Sequence, residues 1–318
     1  MNARREVSLL IAILLLAAVL AAVAPGFFSP ANLRDLLIAN TPMLIVALGM
    51  TLVILTGQID ISIGSQFAIC SVVAGAAAKL GLPTPLAGVV ACLAGASLGA
   101  LNGALVSYAR IPAIVVTLAT MVALRDGLRW TTEGAWVQDL PPGFQWFGQP
   151  QTVSEGIAVG AAALLAVFAA WGLRNLAAGR AIYATGSNPD AARLAGINSS
   201  RVIFSVFTLT GALTGCAALF NSVRFNQVPS NAGIGMEMQV IAAVIVGGCA
   251  VTGGKGTIAG TILGVVLLGI VGTALTFLGI SAYWERAIQG AIILAAVAID
   301  ALRSRAAGYG GTLARQRA

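Results

Sequence analysis

Residues 36–65 read LLIANTPMLIVALGMTLVILTGQIDISIGS. From Leu36 to Thr56 there is no charged side chain, and a helix of about 20 apolar residues is what it takes to cross about 30 Å of hydrocarbon. The run then stops abruptly at Gly57, Gln58, Asp60, Ser62 and Gly64, and a second apolar stretch, residues 61–78, starts at once. Glycine permits non-helical backbone. At membrane depth such backbone is tolerated only where it is buried in protein or lines a water-filled cavity. Two readings of the break stand: a tight turn in which Asp60 caps the next helix, as Asp does well, or an element that lines a pathway.

Outward from this stretch the pattern repeats. Uncharged runs predict spans over residues 7–24, 36–56, 61–78, 85–109, 111–130, 156–173, 202–223, 238–252, 257–278 and 283–300, with 238–252 short enough to be broken or re-entrant. The expected fold is all-α, a polytopic transmembrane bundle of about ten spans with broken helices, occupying residues 1–318 as one domain. Composition agrees: 58% of the 318 residues are hydrophobic and 9% charged, against about 45–50% and about 25% in soluble domains. The 38 glycines would weaken soluble helices, but in a bilayer small residues allow helices to approach closely. Gly95, Gly99 and Gly103, and Gly260 with Gly264, are assigned to packing.

Arg4 and Arg5 precede an apolar stretch, residues 7–24, longer than the roughly 7–15 residues of a secretory signal core, so it is read as a retained first span. An even span count places both ends on one side. The positive-inside rule makes that side the cytoplasm, because Arg4, Arg5, Arg303, Arg305, Arg315 and Arg317 flank the spans there. The net charge of +7 is then a matter of membrane topology, and no nucleic-acid partner is expected. The four cysteines fall singly in apolar runs and histidine is absent. That removes metal-binding spacings, His-dependent triads and any expectation of chemistry on a substrate.

A second break runs from Gly247 and Gly248 through Gly253 and Gly254 to Thr257, with Gly247 and Gly254 spaced like Gly57 and Gly64. Its GGKGT core fails the phosphate-binding pattern G-x-x-x-x-G-K-[ST] twice, at Cys249 and at Gly256. If ATP drives this protein, ATP and Mg therefore bind a partner. The place for that partner is the inner segment 174–201, where Asn188 suits an N-cap, Pro189 the first helical position, Asp190 the positive end of the helix and Gly196 a left-handed stop. A short helix over Pro189, Asp190, Ala191, Ala192, Arg193, Leu194 and Ala195 is predicted. On the opposite face, loop 131–154 with Trp136, Phe144, Trp146 and Phe147 joins Arg34, Arg224 and Arg286 as a candidate docking surface for an acidic partner, unless its aromatics only anchor the loop at the membrane interface.

ILTGQIDISIGS at 54–65, GRAIYATGSNPDAARLAGI at 179–197 and IAAVIVGGCAVTGGKGTIAGTILG at 241–264 together resemble the ribose-type branch of ATP-binding cassette (ABC) permeases, whose members import ribose, galactose, xylose, rhamnose or autoinducer-2. The family usually has a glycine pair where this chain has Gly57-Gln58, and a serine at Ala195. The resemblance implies a homodimer or paralogous heterodimer with the pathway at the two-fold interface. It also implies a cytoplasmic ATP-binding subunit meeting the 188–196 segment as a coupling helix, and a periplasmic sugar-binding protein. The alternatives are a secondary sugar transporter, disfavoured because Asp60, Glu237, Glu285 and Asp300 all fall at predicted span ends, and a scaffold protein.

Overall fold

In a computed structural model the chain is built from helices joined by short links. The structure describes residues 2–279 and a few positions between 284 and 294. The tenth predicted span, 283–300, falls outside that continuous stretch, and Arg286 is outside the described residues. The helices are α1 (Asn2–Val23), α2 (Pro30–Leu55), α3 (Ile63–Lys79), α4 (Thr84–Ser107), α5 (Ala113–Thr132), α6 (Gln151–Asn175), α7 (Ala177–Ser187), α8 (Pro189–Leu194), α9 (Ser199–Ser222), α10 (Met236–Val246) and α11 (Ile258–Phe277). Among the described residues the only strand-like pairing is one antiparallel bridge between Val137 and Val228.

The other predicted spans all coincide with helices, but six are long and apolar enough to cross a membrane by length and composition: α1, α2, α4, α6, α9 and α11. Arg125, Asp126 and Arg129 dilute α5, while α3 and α10 are short. α10 stops at Val246, as the broken-segment expectation had it. The inner segment departs from its reading as loop plus one helix. α7 (Ala177–Ser187) precedes α8, so the segment is two helices.

α2 is the central post. Of its apolar window 78% is buried inside the protein, against 17% for α1, whose Leu14, Leu15 and Val19 face outward as a lipid-contacting surface requires. α4 and α9 lie closest together, along the glycine ridge. A Cβ added to Gly95 would sit 2.1 Å from the Gly211 carbonyl oxygen, one on Gly211 2.0 Å from that of Gly95, and one on Gly99 2.3 Å from that of Phe207. Gly264 meets Ala243 of α10 at 2.0 Å in the same way. These are the close approaches that replace hydrophobic drive in lipid.

Candidate functional site: two helix breaks and the α7–α8 arm

α2 ends because Thr56 turns its hydroxyl back onto the Val53 carbonyl (2.7 Å) and Gly57 adopts φ +77°, a left-handed conformation that costs glycine nothing. The chain then buries Asp60 completely. Its Oδ1 accepts the Ser62 backbone N–H (2.9 Å) and the Ser62 hydroxyl (2.5 Å), and its Oδ2 accepts from Gln66 Nε2 (3.1 Å). Ser62 Oγ in turn accepts from Gln66 Nε2 and from Asn102 Nδ2 of α4, both at 2.8 Å. A buried carboxylate is tolerable only when paired or fully hydrogen-bonded. Here the donors are all neutral. Asp60 does lie at a span end, between α2 and α3, but the break folds inward: Ser62 and Gln66 close by in sequence hold the carboxylate, and Asn102 of α4 holds Ser62.

The second break meets the first. The turn after α10 carries Gly253 (φ +86°) and Gly254 (φ +72°). Gly254 donates its N–H to the Leu55 carbonyl at the end of α2 (2.9 Å), and Tyr183 of α7 donates its hydroxyl to the Gly256 carbonyl (2.9 Å). There is no room for side chains at this junction. A Cβ on Gly186 would lie 1.9 Å from the Leu55 oxygen and 2.8 Å from the Gly254 nitrogen, and one on Gly253 would lie 2.7 Å from the Gly57 nitrogen. The end of α2, the end of α7 and the 253–256 turn therefore touch backbone to backbone.

Ser187 closes α7 and Asn188 opens α8, so the junction continues directly into the short helix. Asn188 Oδ1 accepts the N–H groups of Asp190 (3.1 Å) and Ala191 (3.0 Å). Pro189 occupies the first helical position, with Asp190 in the first turn and Arg193 in the last. At the far end Gly196 (φ +80°) lets Ile197 N–H return to the Ala192 carbonyl (2.9 Å). Ala192 points inward, 3% exposed, while Leu194 stands out at 88%.

The chain matches, over residues 32–297, the family described as "Branched-chain amino acid transport system / permease component". It is 36% identical over 298 residues to the ribose import permease protein RbsC of Escherichia coli (strain K12), covering 92% of each chain. It is 35% identical over 296 residues to the autoinducer 2 import system permease protein LsrC of Enterobacter sp. (strain 638), covering 93% of this chain and 86% of that one. The LsrC of Salmonella typhi is 33% identical over 296 residues. The chain belongs to this permease family. No solved structure matches it.

In the permease, the sequence-selected residues fall into three groups. Gly57, Asp60, Ser62 and Gly64 form the α2–α3 break, and Gln58 stays half-exposed beside them. Gly64 abuts α10, where its Cβ would meet Glu237 Oε2 at 2.1 Å. Gly253 and Gly254 share the junction with Gly57, whereas Gly247 packs instead on Gly260 of α11 and Gly248 takes φ +97° in the turn between. Gln66, Asn102, Tyr183 and Gly186 were missed. The sequence signal for the first two was present, as amides within otherwise apolar runs.

On the opposite end, loop 131–154 is folded down rather than free. Phe144 is fully buried, Trp146 N–H donates to the Val223 carbonyl (2.7 Å), and Phe147 packs edge-on to Phe220. Only Trp136 of the four aromatics stays exposed. Arg34 pairs with Glu155. Arg224 is half-buried over the Phe225 ring, its pKa lowered by burial and pulled back up by Asp35 and Glu155. Arg34 is thus committed to a carboxylate of the same chain.

Proposed function

We propose that this permease is the membrane-spanning subunit of an ATP-driven importer that moves a monosaccharide or a related small polyol across the bacterial inner membrane, with both termini cytoplasmic. It acts beside a second permease subunit, as homodimer or heterodimer. A cytoplasmic ATP-binding subunit holds ATP and Mg and docks on α8, and a periplasmic sugar-binding protein delivers the solute to the end carrying Trp136. The observation that carries the reading is the continuity of α8 with the glycine junction. A push on a rigid capped helix reaches the ends of α2 and of the 253–256 turn through backbone contacts that do not compress. The partner-bound nucleotide is supported by the same turn, since Gly254 N–H is already committed to Leu55 and cannot cradle a phosphate. The sugar rests on the relatives, whose names specify ribose and autoinducer-2 import.

The test is co-purification from membranes followed by transport. The chain is expected to bring down an ATP-binding subunit and a sugar-loaded binding protein. Ala192→Pro removes the N–H that Ala192 donates to the Asn188 carbonyl (3.0 Å) and breaks the short helix at a cost of about 3 kcal/mol. Uptake should fall to background with the chain still in the membrane. Full uptake by that variant would contradict the assignment of α8.

A secondary sugar transporter is the second reading, favoured by one observation: a buried carboxylate inside the bundle is the usual mark of ion coupling, and Asp60 is one. Its three neutral donors favour a structural role.

A further inference from the structure

A cavity of about 330 Å³ opens between α2, α10 and α11, at the small end of the roughly 300–1,000 Å³ range of ligand sites. Asp35, Ala39 and Asn40 of α2, Gln239 of α10 and Thr273 and Thr276 of α11 line it. It lies well away from the α7–α8 arm. Asn40 is ten residues from the start of α2 and fifteen from Leu55, about 15 Å and about 22 Å along the helix, which is mid-membrane depth. Gly269 leaves the space for Asn40, whose Oδ1 would lie 2.5 Å from an added Cβ there.

Polar side chains at that depth face a bundle interior or water, not lipid. Asn40 donates to the Leu36 carbonyl and Thr276 to that of Gly272, while the Gln239 amide and the Thr273 hydroxyl make no hydrogen bond among the described residues. Amides and hydroxyls both donate and accept, and one carboxylate adds a strong acceptor. That set matches a ring of hydroxyl groups. Among the described residues no lysine or arginine lines the cavity, so they offer no cation to the carboxylate of an amino acid or to a phosphate.

We propose that this cavity is the sugar-binding stage of the pathway, taking one neutral monosaccharide ring against Asn40, Gln239 and Thr273. The proposal rests on the sugar-import reading and adds to it the place and the residues. It is tested in proteoliposomes holding the complete transporter, with radiolabelled ribose, galactose, xylose and rhamnose presented by the binding protein. Ala39→Trp fills the cavity from an exposed position; Leu37→Trp adds the same bulk to a neighbouring exposed face of α2 outside it. Ala39→Trp should lower uptake roughly tenfold or more by occupying the ligand's volume, with binding-protein-stimulated ATP hydrolysis retained, and Leu37→Trp should leave uptake unchanged. Equal uptake by the two variants, whether both high or both low, would overturn the proposal. Failure of the unsubstituted chain to take up any of the four sugars would overturn the import reading and this one with it, and is told apart because it precedes any substitution.

Discussion

Gly186→Ala is expected to abolish sugar uptake, although it adds a single methyl group. The new Cβ would sit 1.9 Å from the Leu55 carbonyl oxygen and 2.8 Å from the Gly254 nitrogen. Both neighbours are backbone, so neither can rotate away. Relieving the clash means separating α7 from the end of α2 and breaking the Gly254–Leu55 hydrogen bond. Overpacking of this kind costs about 1–3 kcal/mol, and here the strain falls on the contact between α8 and the two helix breaks. Gly160→Ala is the matched control: its Cβ would meet nothing within 4 Å, and uptake should be normal. The check is transport per unit of protein in the membrane. Normal uptake by Gly186→Ala would show that the junction transmits nothing.

Asp60 carries the second large effect. Asp60→Ala strips the acceptor from the Ser62 N–H, the Ser62 hydroxyl and Gln66 Nε2 at once. Each buried donor left without a partner costs about 1–3 kcal/mol, more than a lost helix cap alone, and the variant should fail to accumulate in the membrane. Asp60→Asn should retain most uptake. Its oxygen still accepts from Ser62, and its new amide hydrogens find an acceptor waiting, because Gln66 Oε1 is buried without a partner and a turn of the Gln66 amide presents it. The negative charge itself is dispensable on this account. An ion-coupled carrier behaves otherwise, losing transport when its coupling carboxylate is neutralised. A normally assembled but inactive Asp60→Asn would therefore contradict the structural role.

What was legible in the sequence was local. The α8 caps could be read because Asn188, Pro189 and Gly196 act within a few residues of themselves, and capping chemistry depends on little else. The glycine ridge of α4 was legible as packing, but its partner, Gly211 of α9, was not. The same limit explains the rest. Asn102 reaches Ser62 across 40 positions of sequence and Arg34 reaches Glu155 across 121, pairings that no local pattern encodes. Spacing hinted that Gly57 and Gly254 belonged to similar breaks; only the fold puts Gly253 against Gly57 and Gly254 against Leu55 and Ser187. The cavity between α2 and α11 was invisible for the same reason, its polar groups being scattered one or two to a helix within runs that otherwise read as lipid-facing.

The central claim, that ATP hydrolysed on a partner drives a sugar through this permease, is tested most directly by energising one transport step in two ways. Proteoliposomes containing the complete transporter, with ATP inside and sugar-loaded binding protein outside, are assayed for accumulation of the sugar with vanadate and, separately, with a proton uncoupler. The account predicts that vanadate stops accumulation and that the uncoupler leaves it unchanged; accumulation that survives vanadate and collapses with the uncoupler would contradict it.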